Sequence, residues 1–214
     1  AVDAAGQHLH VSNRGDEVDV AAPGVAVVAA GAEGKGALFS GTSAAVPFVS
    51  GMIAALLSMD PALSPRQAAD ILLGNTDDYG VPGEDQLYGK GILDAERIMD
   101  RDRQGIFDAA IGPANLQGRL EDGTLAVVLY VQNRGTEAIG QADLFVEIDG
   151  VRSVTAIYGI PVGKTVSRVY SIARERMRGE GLVRVKYSVS LAGQQDSRPH
   201  NDGPRLAELT LATK

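Results

Sequence analysis

Residues 38–51 read LFSGTSAAVPFVSG, in which small and hydroxyl-bearing residues lead directly into an apolar run. Residues 43–59 are apolar nearly all round, which predicts a helix of about five turns that is enclosed by protein on every side. Burying a hydroxyl without a hydrogen-bond partner costs ~1–3 kcal/mol. Thr42 and Ser43, at the start of such a helix, therefore need a functional explanation.

Ser43 has the setting of a catalytic nucleophile as well as that of a helix cap. Gly41 permits the chain to turn tightly into the helix, and Thr42 adds a second hydroxyl beside that of Ser43. The N–H groups and the dipole of the helix point at the same place. Such an arrangement favours an oxyanion that forms beside the Ser43 hydroxyl.

The composition is that of an ordinary globular protein. The 214 residues are 44% hydrophobic and 22% charged, with a net charge of −7 and no cysteine. An acidic chain has no electrostatic attraction for nucleic acid or anionic lipid, so neither is expected as a partner. Without cysteine, disulfides and thiolate metal sites are excluded. The longest apolar run, around residues 46–57, is interrupted by Ser50 and Gly51, so no membrane span of ~18 residues is expected.

Strand and helix patterns alternate up to about residue 102. Residues 17–20 and 24–30 are typical of short strands, and residues 93–101 of a short helix. A further helix is marked by Ser64 as N-cap, Pro65 at its first position, Gln67 completing a capping box, and Gly74 at its end. Strands that alternate with helices predict an α/β domain with a parallel sheet.

Strand patterns replace helical patterns after about residue 105. The segments are LAVVLYVQN (125–133), ADLFVEID (142–149), VRSVTAIY (151–158), KTVSRVYSI (164–172), LVRVKYSVSL (182–191) and RLAELTLA (205–212). Short strands separated by turns rich in glycine, proline and asparagine predict a small all-β sandwich. ERMRGE (175–180) is expected to be a charged loop. The charged stretch DRDRQG (100–105) divides the chain into predicted domains 1–103 and 104–214.

The stretch around Ser43 resembles the nucleophile motif of the subtilisin-like serine proteases, Gly-Thr-Ser-small-Ala-x-Pro. Other segments keep the order of that family: VSNRGDEVDVAAPGVAVVAA (11–30), LSPRQAADILLGNTDD (63–78) and YGKGILDAERIM (88–99). The resemblance implies that domain 1–103 is the C-terminal portion of a subtilisin-like catalytic domain. It also implies polypeptide substrates, no cofactor, and a secreted or cell-envelope location in a bacterium.

The resemblance also assigns roles to residues. Ser43 would be the acylating nucleophile, its own N–H would form half of the oxyanion hole, and the Thr42 hydroxyl would assist. The residues expected to line the cleft beside the scissile bond are Leu38, Phe39, Ser40 and Gly41.

The other two members of the catalytic triad are not recognisable in this chain. The family runs its triad in the order Asp, His, Ser, and only 42 residues precede Ser43. Asp3, His8 and His10 lie outside the family's motifs and are expected to be loop residues. The side-chain amide that completes the oxyanion hole is also expected upstream of residue 1. Since a serine hydroxyl is a weak nucleophile without an adjacent base, the chain alone is expected to be inactive.

We therefore expect a C-terminal piece of a longer protease whose N-terminal half supplies the Asp and the His. An incomplete parallel sheet would leave a bare edge and an uncovered helix, so self-association through that sheet is the alternative arrangement. The alternative function is that of an inert protease remnant, which acts as a binding or structural module through its β-sandwich.

The second domain resembles the bacterial Ig-like modules related to cell-adhesion domains. The residues that support this are VLYVQNRGTEAIGQADLFVEIDG (128–150), VRVKYSVS (183–190) and DSRPHND (196–202). The resemblance implies docking on other proteins or glycans, or bracing of the protease. Asp196 and Asp202 suggest calcium, but carboxylates in turns are more often turn formers, so no metal is expected. A local basic run, expected to be a solvated face, consists of Arg168, Arg174, Arg176 and Arg178.

Overall fold

The computed structural model describes residues 1–119, 124–172 and 182–210. The chain divides into a compact N-terminal unit, Ala1–Arg101, and a second unit, Asp102–Lys214, which we call the two-sheet unit. The charged loop predicted at 175–180 lies outside the described residues, as do Arg174, Arg176 and Arg178 of the basic run.

The N-terminal unit contains three helices: α1 (Thr42–Met59), α2 (Pro65–Gly74) and α3 (Ala95–Asp100). Their buried contacts come from Leu56 of α1, Ala68 and Leu72 of α2, and Ile98 of α3. The start of α2 has the predicted capping box, since the Ser64 hydroxyl accepts from the Gln67 amide at 3.3 Å and Gln67 Oε1 accepts from the Ser64 amide at 2.9 Å. Asp94 caps α3 in the same way, accepting from the Arg97 amide at 3.0 Å.

The N-terminal unit, as described, contains an antiparallel hairpin in place of the expected parallel sheet. Strands β1 (Val27–Ala30) and β2 (Gly36–Phe39) form an antiparallel hairpin. Only five residues connect them, which is too short for a parallel crossover. Residues 17–20, predicted to be a strand, contribute a single bridge from Val20 to Gly89. Within the described part of the chain, parallel pairing is limited to isolated bridges such as Ala21 with Ile92.

The expectation that α1 is enclosed on every side is wrong for this chain. Only Ala44, Ala45 and Leu56 of the helix are buried. Val46 is 61% exposed and Phe48 39% exposed, because α1 packs along one stripe against α2 and α3. The helix has 18 residues and is apolar enough to cross a membrane by length and composition, two criteria that core helices of globular domains also meet. No segment long and apolar enough to span a membrane was expected, because Ser50 and Gly51 interrupt the apolar run. These two residues do not break the helix.

The two-sheet unit is built from eight strands in its described residues. They are β3 (Ala109–Ile111), β4 (Asn115–Arg119), β5 (Leu125–Asn133), β6 (Ile139–Ile148), β7 (Val151–Ile160), β8 (Thr165–Ile172), β9 (Leu182–Leu191) and β10 (Arg205–Thr210). One sheet has the order β10-β9-β6-β7, and in the other β5 pairs with β3, β4 and β8. Every one of these pairings is antiparallel.

One core lies between the two sheets. Leu129 of β5, Leu144 of β6 and Val185 of β9 are all fully buried in it. Along β6, buried Ala142, Leu144 and Val146 alternate with Phe145 and Glu147, which have more exposure, as expected of a strand with one face on a core. This alternation agrees with the period-two pattern of the predicted segment 142–149. Strands β3 and β4 were not predicted, because AAI and NLQGR are short and lack that pattern.

Candidate functional site

A tight turn places Ser43 in the first turn of α1. Gly41 is the N-cap residue with φ 125° and ψ 177°, a backbone conformation accessible essentially to glycine alone. Its amide donates to the Gly24 carbonyl at 2.7 Å, and the Ser40 hydroxyl accepts from the Ala26 amide at 2.9 Å. The residues before the helix are thus fixed to the turn around Gly24, which holds the start of α1 against β1 and β2.

The Ser43 amide is free of an acceptor within the helix. The first N–H groups of any helix have no partner one turn earlier, and a glycine N-cap supplies no side chain to bind them. The next amide, that of Ala44, donates to the Gly41 carbonyl at 3.0 Å. The Ser43 amide is therefore a donor beside the Ser43 hydroxyl, at the positive end of the helix dipole. Thr42 and Ser43 are both exposed to solvent.

A cavity of about 470 Å³ lies beside Ser43. Its walls are all four residues of β1, Phe39, Ser40, and the α1 residues Ala44, Pro47 and Phe48. Of the residues expected to line the cleft, Phe39 and Ser40 line this cavity, whereas Leu38 and Gly41 are not among its walls. The contribution of β1, Pro47 and Phe48 was missed by the sequence analysis, since it depends on how the hairpin sits beside the helix. Such walls suit an apolar group of a ligand.

The lining of this cavity contains no titratable side chain. Among the described residues, no side-chain hydrogen bond connects the Ser43 hydroxyl to a base. His8 lies elsewhere in the unit, where its ring meets that of Tyr88 edge to face at 6.1 Å between centroids. Burial lowers the pKa of the His8 imidazole below its ordinary value. His10 is exposed, and Asp3 accepts from the amides of its own turn at Ala5 and Gln7.

A second cavity, of about 400 Å³, lies along another face of α1. Its walls include Thr42, Val46, Val49 and Ile53 of α1 together with His8. Thr42 and Ser43 therefore face different cavities, although they are adjacent in the chain.

The carboxylates considered for calcium lie in the two-sheet unit. Asp196 accepts from the Ala109 amide at 2.8 Å and from the Arg198 amide at 2.7 Å. Asp202 lies beside it, and burial together with the charges of Asp196 and Asp108 raises the pKa of Asp202 to about 7. Within the described ranges, no group of three or more His, Asp or Glu side chains has an arrangement suited to a metal ion.

The N-terminal unit is similar to known proteases. Residues 1–91 match the Subtilase family. The chain is 36% identical to subtilisin of Bacillus pumilus over 96 residues, which is 45% of this chain and 34% of that protein. Over 96 residues it is 35% identical to subtilisin E of Bacillus subtilis (strain 168), covering 45% of this chain and 24% of the relative.

A third relative is the minor extracellular protease Epr of Bacillus subtilis (strain 168). It is 37% identical over 82 residues, which is 38% of this chain and 13% of that protein. The chain thus spans about a third, or less, of the length of these curated relatives. These similarities confirm the resemblance to subtilases for the N-terminal part of the chain.

Proposed function

We propose that this chain is the C-terminal part of a subtilisin-like serine endopeptidase in which Ser43 is the nucleophile. The main support is the position of Ser43, an exposed residue in the first turn of α1 whose N-cap, Gly41, makes no side-chain cap hydrogen bond, beside an apolar cavity of about 470 Å³. The match of residues 1–91 to the Subtilase family adds to this support.

The proposed reaction is hydrolysis of a peptide bond through an acyl-enzyme. The Ser43 Oγ attacks the scissile carbonyl carbon while a histidine accepts the hydroxyl proton, and that proton passes to the leaving amine as the C–N bond breaks. The Ser43 amide donates to the carbonyl oxygen as it becomes negative. The family resemblance assigns the Thr42 hydroxyl to this oxyanion as well, although Thr42 lines the other cavity along α1 in this chain. Water then cleaves the ester and restores the Ser43 hydroxyl.

The histidine and its aspartate are proposed to come from an upstream portion of the same protein. None of the walls of the Ser43 cavity is titratable, and the 96 matched residues make up only 34% and 24% of the length of two of the relatives. Removing the base from a serine–histidine–aspartate triad lowers turnover by about 10⁶-fold. We therefore propose that the 214-residue chain is inactive until this portion is supplied.

Exposed apolar side chains around α1 support the proposal that an upstream portion of the protein covers this region. Leu38 is 71% exposed, Val28 74% and Phe39 48%, on the hairpin that precedes the helix. The upstream portion would cover α1 and this hairpin, which makes α1 a core helix and not a membrane span. In its absence, a second copy of the chain would bind the same surface, because exposed apolar area of this kind drives association.

The two-sheet unit is proposed to be an Ig-like accessory module. Its two antiparallel sheets around one core support this assignment. It would brace the protease or dock on proteins or glycans. A secreted or envelope location is proposed by analogy with the relative whose name describes it as extracellular.

Labelling with a fluorophosphonate probe tests the assignment of Ser43. The natural polypeptide that contains this chain should be labelled, and Ser43→Ala should abolish the labelling. Ser50→Ala is the matched control, since Ser50 is an exposed serine on the same helix whose hydroxyl donates to the Val46 carbonyl. Equal labelling of the Ser43→Ala protein would refute the assignment.

The alternative proposal is that the protease part is an inert remnant and that the chain acts as a binding or structural module through the two-sheet unit. The absence of a base from the Ser43 cavity is the observation that favours it. Mass spectrometry of the protein from its native source separates the two proposals. An upstream portion with the family's aspartate and histidine motifs supports the enzyme, and a mature protein without one supports the remnant.

A further inference from the structure

The open edge of β7 in the two-sheet unit lacks the usual protection against pairing with another strand. Among the described strands, β7 pairs with β6 alone, so its other edge is open. The strand is 10 residues long, and its register with β6 is regular from Val151 to Tyr158. It contains no proline, and its only charged residue is Arg152. A long, regular and open strand of this kind is a template for a further strand.

The other open edges of the described strands are protected. β3 has 3 residues, and β4 has 5 with a shift in its register. β10 begins directly after Pro204 and carries Glu208. On β8, Arg168 pairs with fully buried Leu129 and therefore points to the inner face. Because short strands, bulges, proline and inward-pointing charges all hinder pairing at an edge, β7 differs from these strands.

The main chain of β7 offers hydrogen-bonding groups at its open edge. The β6–β7 hairpin turns through Asp149 and Gly150, which both have positive φ, so Ile148 and Val151 form its first hydrogen-bonded pair. The alternation of an antiparallel ladder then directs the N–H and C=O groups of every second residue away from β6. These residues are Arg152, Val154, Ala156 and Tyr158.

The side chains of the same four residues lie on the outer face of the sheet, because their partners on β6 point away from the core. Val154 is 60% exposed and Tyr158 69% exposed. Phe145, the β6 partner of Val154, is 42% exposed. Phe145 and Val154 are also among the walls of a cavity of about 320 Å³. A strand added to β7 would therefore meet apolar side chains as well as main-chain groups.

The segment that forms this side of the two-sheet unit is basic. Residues 151–172 make up β7, β8 and the turn between them, and β8 lies beside β7, since the hydroxyls of Thr155 and Tyr170 are 2.9 Å apart. This segment contains no aspartate or glutamate, although the whole chain has a net charge of −7. Its charged residues are Arg152, Lys164 and Arg168.

These charges favour an acidic partner. Arg152 is bound to Glu147 of β6 at 2.7 Å. Lys164, in the turn after β7, is exposed and has no ion-pair partner among the described residues. A second copy of this chain would bring the same basic segment against itself. A different polypeptide with carboxylates near Lys164 would find complementary charge.

We propose that β7 binds an extended, acidic segment of another polypeptide, which joins the sheet as a further strand. Main-chain groups of this segment pair with those of β7, its apolar side chains contact Val154 and Tyr158, and its carboxylates lie near Lys164. The inference makes the docking role proposed for the two-sheet unit specific, and it rests on that role. It does not involve Ser43, so fluorophosphonate labelling reports separately on the proposed protease.

Binding of a synthetic peptide to the whole 214-residue chain tests this inference. The probe has about ten residues of alternating threonine and valine, with two glutamates at each end so that carboxylates reach Lys164 in either strand direction. Its counterpart carries lysines in place of the glutamates. Fluorescence anisotropy should show the acidic peptide binding at least about tenfold more tightly than the lysine peptide.

Amide hydrogen exchange identifies the edge that is used. In the free chain, the amides of Val154, Ala156 and Tyr158 should exchange fast, and the acidic peptide should protect them. Protection confined to other strands, or equal affinity for the two peptides, would overturn the proposal. Protection of these amides that rises with the concentration of the chain alone would also overturn it, in favour of pairing between two copies.

Ala156→Pro removes one N–H group from the open edge. Because this N–H points away from β6, the ladder between β6 and β7 keeps its hydrogen bonds. The variant should bind the acidic peptide about tenfold more weakly, since a carbonyl of the peptide loses its donor. Ala156→Val is the matched control, because it keeps the N–H, and it should bind like the unmodified chain.

Lys164→Glu tests the charge without altering the edge of β7. It should weaken binding of the acidic peptide by about two- to fivefold and strengthen binding of the lysine peptide. Arg66→Glu makes the same change of charge at an exposed position on α2 and should alter neither affinity. Affinity for the acidic peptide that is unchanged in either Ala156→Pro or Lys164→Glu would overturn the proposal.

Discussion

The amide of Gly41 donates to the carbonyl of Gly24 at 2.7 Å, and this contact joins two turns that are distant in the sequence. The first turn leads into β1, and the second leads into α1 and Ser43. The position of the Ser43 hydroxyl relative to the cavity beside it depends on this contact, because both walls of that cavity start from these turns.

Gly24→Ala should destabilise the N-terminal unit. A Cβ at this position would lie 2.8 Å from the Gly41 carbonyl oxygen and 3.3 Å from the Ala45 Cβ. Overpacking of this kind costs ~1–3 kcal/mol. Chemical denaturation of the 214-residue chain measures the effect. Gly51→Ala is the control, since a Cβ there meets nothing within 4 Å and alanine favours a helix interior by about 1 kcal/mol.

Gly41→Ala should also destabilise this unit, for a different reason. Nothing lies within 4 Å of a Cβ at Gly41, so the cost comes from the backbone at φ 125°. Conformations restricted to glycine cost about 1–3 kcal/mol in other residues. In the natural polypeptide, the same substitution should slow fluorophosphonate labelling of Ser43, because it disturbs the turn that positions the Ser43 amide. Labelling at an unchanged rate would contradict this view of the turn.

Ser64→Ala should cost about 1 kcal/mol of stability by removing the N-cap of α2. The Ser64 hydroxyl accepts from the Gln67 amide at 3.3 Å, which would lose this partner. Thermal unfolding followed by far-UV circular dichroism detects a change of this size. Arg66→Ala, which removes only an exposed pair with Asp70, should change stability by less than about 0.5 kcal/mol.

Arg198→Met should destabilise the two-sheet unit by about 3–5 kcal/mol, because it leaves the Asp108 carboxylate buried without its cation. Arg152→Met breaks an ion pair of good geometry, 2.7 Å to Glu147, but the Arg152 side chain is 84% exposed. Exposed pairs contribute about 0–1 kcal/mol. Urea unfolding measures the free energy of unfolding of both variants. Equal losses of this free energy would show that the buried Asp108–Arg198 pair contributes no more to stability than the exposed pair.

Much of the local structure could be predicted from the sequence. The signals at Ser64 and Gly74 gave the bounds of α2, since a cap and a terminating glycine act on the nearest turn of backbone. The bounds of β5 and β9 also agree with the predicted segments, because apolar and β-branched residues mark a strand directly. The motif around Ser43 identified the family resemblance of the N-terminal part for the same reason: it depends on residue types at fixed spacing.

Three features could not be predicted from the sequence and were found only in the tertiary structure. The pairing of β1 with β2 in an antiparallel hairpin replaced the expected parallel sheet, because strand partners depend on which segments meet in space. The exposure of α1 depends on what surrounds it, and hydrophobicity alone cannot tell a covered helix from an uncovered one. The buried ion pair of Asp108 with Arg198 joins residues 90 positions apart in the chain. The sequence by itself determined the local elements and the nucleophile motif, whose physical causes act over a few residues. The tertiary structure decided the cavity beside Ser43 and the charge pairing at Asp108, since both arise from contacts between distant segments.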